Sequence, residues 1–241
     1  MAFFGQLFNT QPNKLVPNWD GSDAPISLQF NDNFTNSGDG GAATETGTLT
    51  YETGKHLKAG VFDGASNLSF ADDDAIDVGT GDFTTMFWIK MVDANEIQSI
   101  FAKVDTSSTS PTSTGAVGFD LLYRGDQSGD RLSCRFNDGT GSSTMSQGTG
   151  TQVVDDGSWH HVACVFDRTT DGEFDMYVDG TNVYNTDISG KTATMSNDGP
   201  FKIGTRRAGN GWHFNGSLDR FFFIKRELTQ AEVHKEYNYF A

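Results

Sequence analysis

The side chains best suited to chemistry in this sequence lie in one loop near its end and in a few isolated carboxylates. Arg206, Arg207, Trp212 and His213 fall within the run RRAGNGWH. The tryptophan ring could stack on a sugar while either arginine bonds hydroxyls or a carboxylate. The competing account is a structural loop whose Trp212 covers the edge of a sheet. Asp219 interrupts the apolar run SLDRFFFI. A carboxylate placed there must be ion-paired, hydrogen-bonded or metal-bound, because an uncompensated buried charge is costly. Asp72, Asp73, Asp74 and Asp77 form the densest acidic cluster. It lacks the D-x-D-x-D-G frame and following Glu of an EF-hand loop, so it reads as a solvated acidic loop. His160 and His161 are adjacent in a strand pattern and face opposite sides, so they cannot chelate one ion together. No G-x-S-x-G, H-E-x-x-H or phosphate-cradling glycine loop is present.

These groups must be carried by strands. Segments such as DFTTMFWIKM, VGFDLLYR, RLSCRFND, WHHVACVFDR and EFDMYVDG alternate or run apolar between turn clusters, and the chain has 20 Phe and 28 Gly. Roughly a dozen short strands at this spacing predict a two-sheet sandwich. Asp179-Gly180 supplies the positive φ angles of a two-residue hairpin turn. Helical character is confined to LTQAEVHKEYNY, with Thr229 as N-cap and Glu232 in the capping-box position. Cys134 and Cys164 each occupy an inward-facing position, as two buried thiols or as a disulfide.

Residues 1–25 follow no strand pattern and contain Pro12, Pro17 and Pro25. They read as an extended arm, followed by one domain over 26–241. Phe3, Phe4, Leu7 and Phe8 are apolar anchors at the arm's tip, available to a neighbouring copy or another protein. The start, MAFFGQLFNTQPNK, has no basic stretch before its apolar residues, so no secretory signal is expected. No apolar run reaches the ~20 residues of a membrane helix. With 17 Lys+Arg against 32 Asp+Glu, the formal charge is −15. That field repels phosphate backbones and anionic membranes, and neither nucleic acid nor membrane is an expected partner.

Three stretches, taken in order, are similar to a known family. They are GVFDGASNLSF with GDFTTMFWIK, then GSWHHVACVFDRTTDGEFDMYVDGTNV, then KIGTRRAGNGWHFNGSLDRFFFIKRELTQAEVHKEYN. Together they resemble the laminin-G-like, concanavalin A-like jelly roll. The resemblance implies an all-β, two-sheet antiparallel sandwich with a short C-terminal helix. It also implies a structural calcium held by Asp219, Asn31 or Asp32, and Gly64; an ion pair or a loop cap at Asp219 is the alternative. The same fold hosts laminarinase-type glycoside hydrolases with an E-x-D-x-x-E strand. Here Glu173 and Asp175 are followed by Val178, so the second glutamate is missing and no activity is expected. A domain of this kind with such an arm also resembles bacteriophage virion proteins that decorate heads or tails. The function implied is surface display on a virion, non-catalytic, with a cell-surface glycan as a further partner. The alternative is a carbohydrate-binding module of a secreted bacterial protein.

Overall fold

The computed structural model describes residues 23–92, 94–108, 110–113, 115–126, 131–140, 144–147, 153–206 and 212–241. In chain order the strands are β1 (Ile26–Leu28), β2 (Ala43–Thr46), β3 (Thr50–Thr53), β4 (Lys58–Asp63), β5 (Asn67–Phe70), β6 (Phe83–Val92), β7 (Ile97–Val104), β8 (Val117–Arg124), β9 (Arg131–Asp138), β10 (Thr144–Gln147), β11 (Asp156–Asp167), β12 (Glu173–Val178), β13 (Thr181–Asp187), β14 (Phe201–Ile203) and β15 (Asn215–Ile224). Among the described residues a single α-helix, α1 (Gln230–Phe240), follows.

The strands form two antiparallel sheets, one ordered β13-β12-β11-β6-β15-β4-β3 and the other β10-β9-β8-β7-β14-β5-β2. In the first sheet β15 is central. It pairs with β6 on one side; on the other it pairs with β4 along its first half and with β1 along its second. This is the jelly-roll sandwich that the strand spacing predicts.

Alternation along the strands sends one set of side chains between the sheets. Phenylalanine dominates that core: Phe83 stacks on Phe166 with ring centroids 4.0 Å apart, Phe119 on Phe223, and Phe101 on Phe201. Cys134 and Cys164 lie in the same core as free thiols, and burial pushes the Cys134 thiol well up. Of the two sequence alternatives, the disulfide is therefore not formed. The outer face of the first sheet carries a second apolar layer, Met86, Ala163, Val165, Tyr177, Phe222 and Ile224, covered by Leu228 and by Val233 of α1. The helix begins with the expected capping box, in which Thr229 and Glu232 satisfy each other's backbone N–H groups.

Two expectations about local structure change. The acidic cluster is not simply solvated. Asp72 and Asp77 bracket the Lys103 ammonium at 2.9 and 3.0 Å, and that side chain is 1% exposed. The same ammonium donates to the carbonyls of Asn197 and Gly199, while Asp73 accepts the Ala75 N–H at the start of a short 3-10 turn. The second change is at the domain boundary. Asp23, Ala24 and Pro25 already belong to the sandwich: the Asp23 carbonyl accepts the Lys225 N–H, Ala24 is buried, and the Pro25 carbonyl accepts the Gly40 N–H. Phe3, Phe4, Leu7 and Phe8 lie outside the described residues.

Candidate functional site

In the second sheet β8 sends Phe119, Leu121 and Tyr123 into the core, so Asp120 and Leu122 fall on the opposite, outer face. Register places Ala102, Asp120 and Arg135 side by side across β7, β8 and β9, with Ser99, Leu122 and Ser133 in the next row. Asp120 is completely buried although it lies on an outer face. Arg135 grips it with two prongs: Nε donates to Oδ1 at 2.8 Å and Nη2 to Oδ2. Burial pushes the Asp120 carboxyl up, against the opposing pull of Arg135 and then Arg206.

Arg206 turns inward to this pair. Its Nη1 stands 3.9 Å from Asp120 Oδ2, beyond hydrogen-bonding distance. Its guanidinium centre lies 4.1 Å from the centroid of the Trp212 ring. Trp212 is tied to the sheet through its carbonyl, which accepts the Ser99 N–H at 3.1 Å. Among the described residues, Ser99 Oγ, Ser133 Oγ, Arg206 Nε and Arg206 Nη1 are all buried without a hydrogen-bond partner, as are Gln98 Nε2 and His213 Nδ1. Buried polar atoms are almost always satisfied, so the orphans on Arg206, which lies over the Trp212 ring, and on Ser99, which is bonded to the Trp212 backbone, mark a place that a polar ligand or ordered water completes.

Of the four residues expected in this loop, the structure thus brings Arg206 and Trp212 together and seats His213 beside them in sequence with an orphaned ring nitrogen. Arg207 lies outside the described residues. Sequence reasoning missed Asp120, Arg135, Ser99 and Ser133. The signal that singled out Asp219, a carboxylate inside an apolar run, also stands in GFDLLY and could have found Asp120.

The expected calcium ligands are not gathered. Asp63 pairs with Asn215, and the Gly64 N–H donates to the Phe214 carbonyl. Gly64 is therefore five strand positions from Asp219, roughly 16 Å at ~3.3 Å per residue, too far to share an ion. Asn31 Oδ1 accepts the Lys58 N–H and Asp32 faces the Lys58 ammonium at 3.9 Å. Among the described residues no group of three or more His, Cys, Asp or Glu side chains is placed to hold a metal.

Asp219 lies instead on the outer face of the first sheet, beneath the turn from β3 to β4. Its Oδ2 accepts the His56 N–H at 2.7 Å, while Oδ1 is buried without a partner. Gly54 lets that turn close: a Cβ there would stand 2.5 Å from Asp219 Oδ2 and 2.8 Å from the Lys58 backbone. Burial raises the Asp219 carboxyl to about 7. Its cross-strand neighbour is Trp88, and Trp88 in turn pairs with His161. Tyr237 of α1 stacks over the Trp88 ring. His161 is fully buried with neither ring nitrogen bonded, and burial lowers it to about 3. Next along, Arg220 and Glu236 form a buried two-pronged ion pair that anchors the helix, at 2.6 and 3.2 Å.

His160 has a different role. Its Nδ1 lies 2.8 Å from Asp179 Oδ2, while Asp179 Oδ1 accepts the His161 N–H. Asp179, at φ +49°, and Gly180, at φ +73°, form the predicted hairpin turn. One aspartate thus joins the WHH strand to the VDG turn, and its hydrogen bond, first among the causes, raises the His160 pKa. Glu173 and Asp175 hydrogen-bond Asn185, and Asp175 also bonds Asn182, on the neighbouring strand β13.

The profile of the concanavalin A-like lectin/glucanases superfamily, in its laminin G form, matches residues 62–234. The chain belongs to this superfamily. No curated protein sequence matches it. Several solved domains superpose over most of its length. The binding domain of Paraclostridial Mosquitocidal Protein 1 does so with a TM-score of 0.70 and 16% identity, over 90% of this chain and 52% of that one. Domain 4 of AbnA, an extracellular GH43 arabinanase from Geobacillus stearothermophilus solved with arabinotriose, gives 0.64 and 19%, over 89% of this chain and 98% of that one. The botulinum neurotoxin DC binding domain, solved with SialylT, gives 0.65 and 10%, over 91% and 52%. The chain spans about half the length of these toxin domains and nearly all of the arabinanase domain. At such identities the likeness is one of fold.

Proposed function

We propose that this concanavalin A-like domain is a non-catalytic glycan-binding module whose sugar sits on the outer face of the second sheet. The observation that carries the reading is that, among the described residues, buried donors of Arg206, Ser99 and Ser133 lack partners on one sheet face, with Arg206 over the Trp212 ring and Ser99 bonded to the Trp212 backbone. Sugar sites pair an aromatic platform with a few placed hydrogen-bonding groups. The arabinanase domain seen with arabinotriose, a domain of matching length, supports the same reading. Non-catalysis is part of the proposal: hydrolysis needs two cooperating carboxyls. Among the described site residues Asp120 is the one carboxylate, and Arg135 occupies both its oxygens.

Titration of a glycan panel against the intact chain is expected to find at least one binder. Trp212→Ala should weaken it about tenfold, the loss of roughly 1.4 kcal/mol. A folded wild-type chain that binds nothing on the panel, or a Trp212→Ala variant that binds unchanged, overturns the reading.

We further propose that the module is displayed on a virus particle, attached through the arm to a second copy or to another virion protein. The apolar anchors Phe3, Phe4, Leu7 and Phe8 support this. The size match to an arabinanase domain favours the second reading, a carbohydrate-binding module of a secreted bacterial protein. The arm separates them. Since the described sandwich is closed from Asp23 onward, deleting residues 2–18 should cost less than about 1 kcal/mol, a few degrees of melting temperature. On the virion reading the deletion also abolishes self-association or particle attachment in sedimentation. A full-length chain that remains monomeric and attaches to no particle protein supports the secreted module.

A further inference from the structure

The charges of the sheet-face site do not balance. Among the described residues Arg135 and Arg206 face a single carboxylate, Asp120, whose two oxygens are both engaged by Arg135. Arg206 is left 3.9 Å away, its side chain 7% exposed, with Nε and Nη1 lacking any acceptor. Burial lowers the Arg206 pKa and Arg135 adds to that, while Asp120 opposes it. A guanidinium nonetheless stays charged in proteins. Leaving its donors unmet is expensive, and only an acceptor that also carries negative charge offsets both the missing hydrogen bonds and the excess cation. The guanidinium centre lies 4.1 Å from the Trp212 ring centroid, so the ring covers one side of it. Its N–H groups donate along the edge of the planar guanidinium, where a carboxylate or sulfate can present its oxygens. Such a cationic cluster is conspicuous in a chain of formal charge −15, whose long-range field would turn anions away unless a local site selected them.

Building on the glycan-binding reading, we infer that the ligand is an anionic glycan, a sugar whose carboxylate or sulfate accepts from the Arg206 edge. Its ring lies beside Trp212, and its hydroxyls satisfy Ser99 and Ser133. Arg206 is then the residue that sets specificity for charge.

The test is calorimetry on the full chain at physiological salt with three matched probes: a hexuronic acid oligosaccharide, its carboxyl-reduced neutral counterpart, and a sulfated form of that neutral sugar. At least one anionic probe is expected to bind ten-fold or more tighter than the neutral one, and which of the two wins identifies the group. Arg206→Gln should erase the preference while leaving residual neutral binding. Arg206→Lys should restore part of it. Ser133→Ala, which leaves both arginines intact, should weaken all three probes alike and keep the preference. Neutral binding as tight as anionic binding overturns the charge assignment and leaves the glycan reading standing. A preference that survives Arg206→Gln overturns the role of Arg206. If the folded protein binds none of the three, nor anything on the wider panel, both readings fall together.

Discussion

Lys103→Met is expected to destabilise the sandwich by roughly 3–5 kcal/mol, the range for removing one partner of a buried ion pair. The ammonium of Lys103 is met by four oxygens, from Asp72, Asp77, Asn197 and Gly199, at 2.9 to 3.1 Å. Methionine keeps much of the volume and removes the charge. Asp77 is then left half-enclosed beside Asp72, with two carbonyls lacking their donor. For a chain of this size the loss is on the order of 10 °C in melting temperature. Adding Asp72→Asn and Asp77→Asn should recover part of it, because neutral amides do not need the cation. Urea unfolding measures each step. A Lys103→Met protein as stable as its parent would show that the oxygens do not depend on the lysine.

The layer beneath α1 gives the second large effect, with the sign set by pH. Asp219 is raised to about 7 from its ordinary 3.8, so the folded state holds a proton that the unfolded state has released. Its stabilising contribution is complete below pH 4 and is lost as pH rises through 7. His161 is lowered from 6.5 to about 3. Its contribution is complete above pH 6.5 and is lost as pH falls through 3. Each shift corresponds to roughly 4 kcal/mol. Over pH 4 to 6.5 the two act in opposite directions and largely cancel in the parent.

Single substitutions should unmask them. Relative to the parent, Asp219→Asn gains stability progressively as pH rises from 4 to 7, and His161→Met gains it as pH falls from 6.5 to 3. Arg220, Glu236, Lys55 and His56 share this layer, so the readout is the difference between variant and parent at each pH. Parallel stability curves for variant and parent would refute the assignment.

Some of this architecture was legible in residue order. The Asp179-Gly180 turn, the Thr229 and Glu232 cap and the inward phenylalanines are local patterns, in which the groups that interact are neighbours or lie at strand and helix periods. The site was less legible because its contacts are made by register. Asp120 and Arg135 meet across β8 and β9, and Lys103 finds Asp72 from 31 positions away. Gly64 and Asp219 are brought together in the family pattern, yet the pairing of β4 with β15 sets them five strand positions apart. Arg206 read as a free loop cation; nothing near it in sequence reveals that a carboxylate from another strand draws it inward.

The central position of β15 also bears on how the chain is made. The strand that separates β6 from β4, and to which β1 pairs, is the last of this domain's described strands to be synthesised. Until it emerges, β6 and β4 expose facing edges with a strand-wide gap between them, open to any extended segment. Pairing residues 26–28 with 221–223 closes a loop of nearly the whole domain, the slowest kind of contact to form. A chain released early, or cut between β14 and β15, would keep most of its phenylalanines yet have no way to seal its first sheet. Such fragments are expected to aggregate rather than persist as smaller folded units.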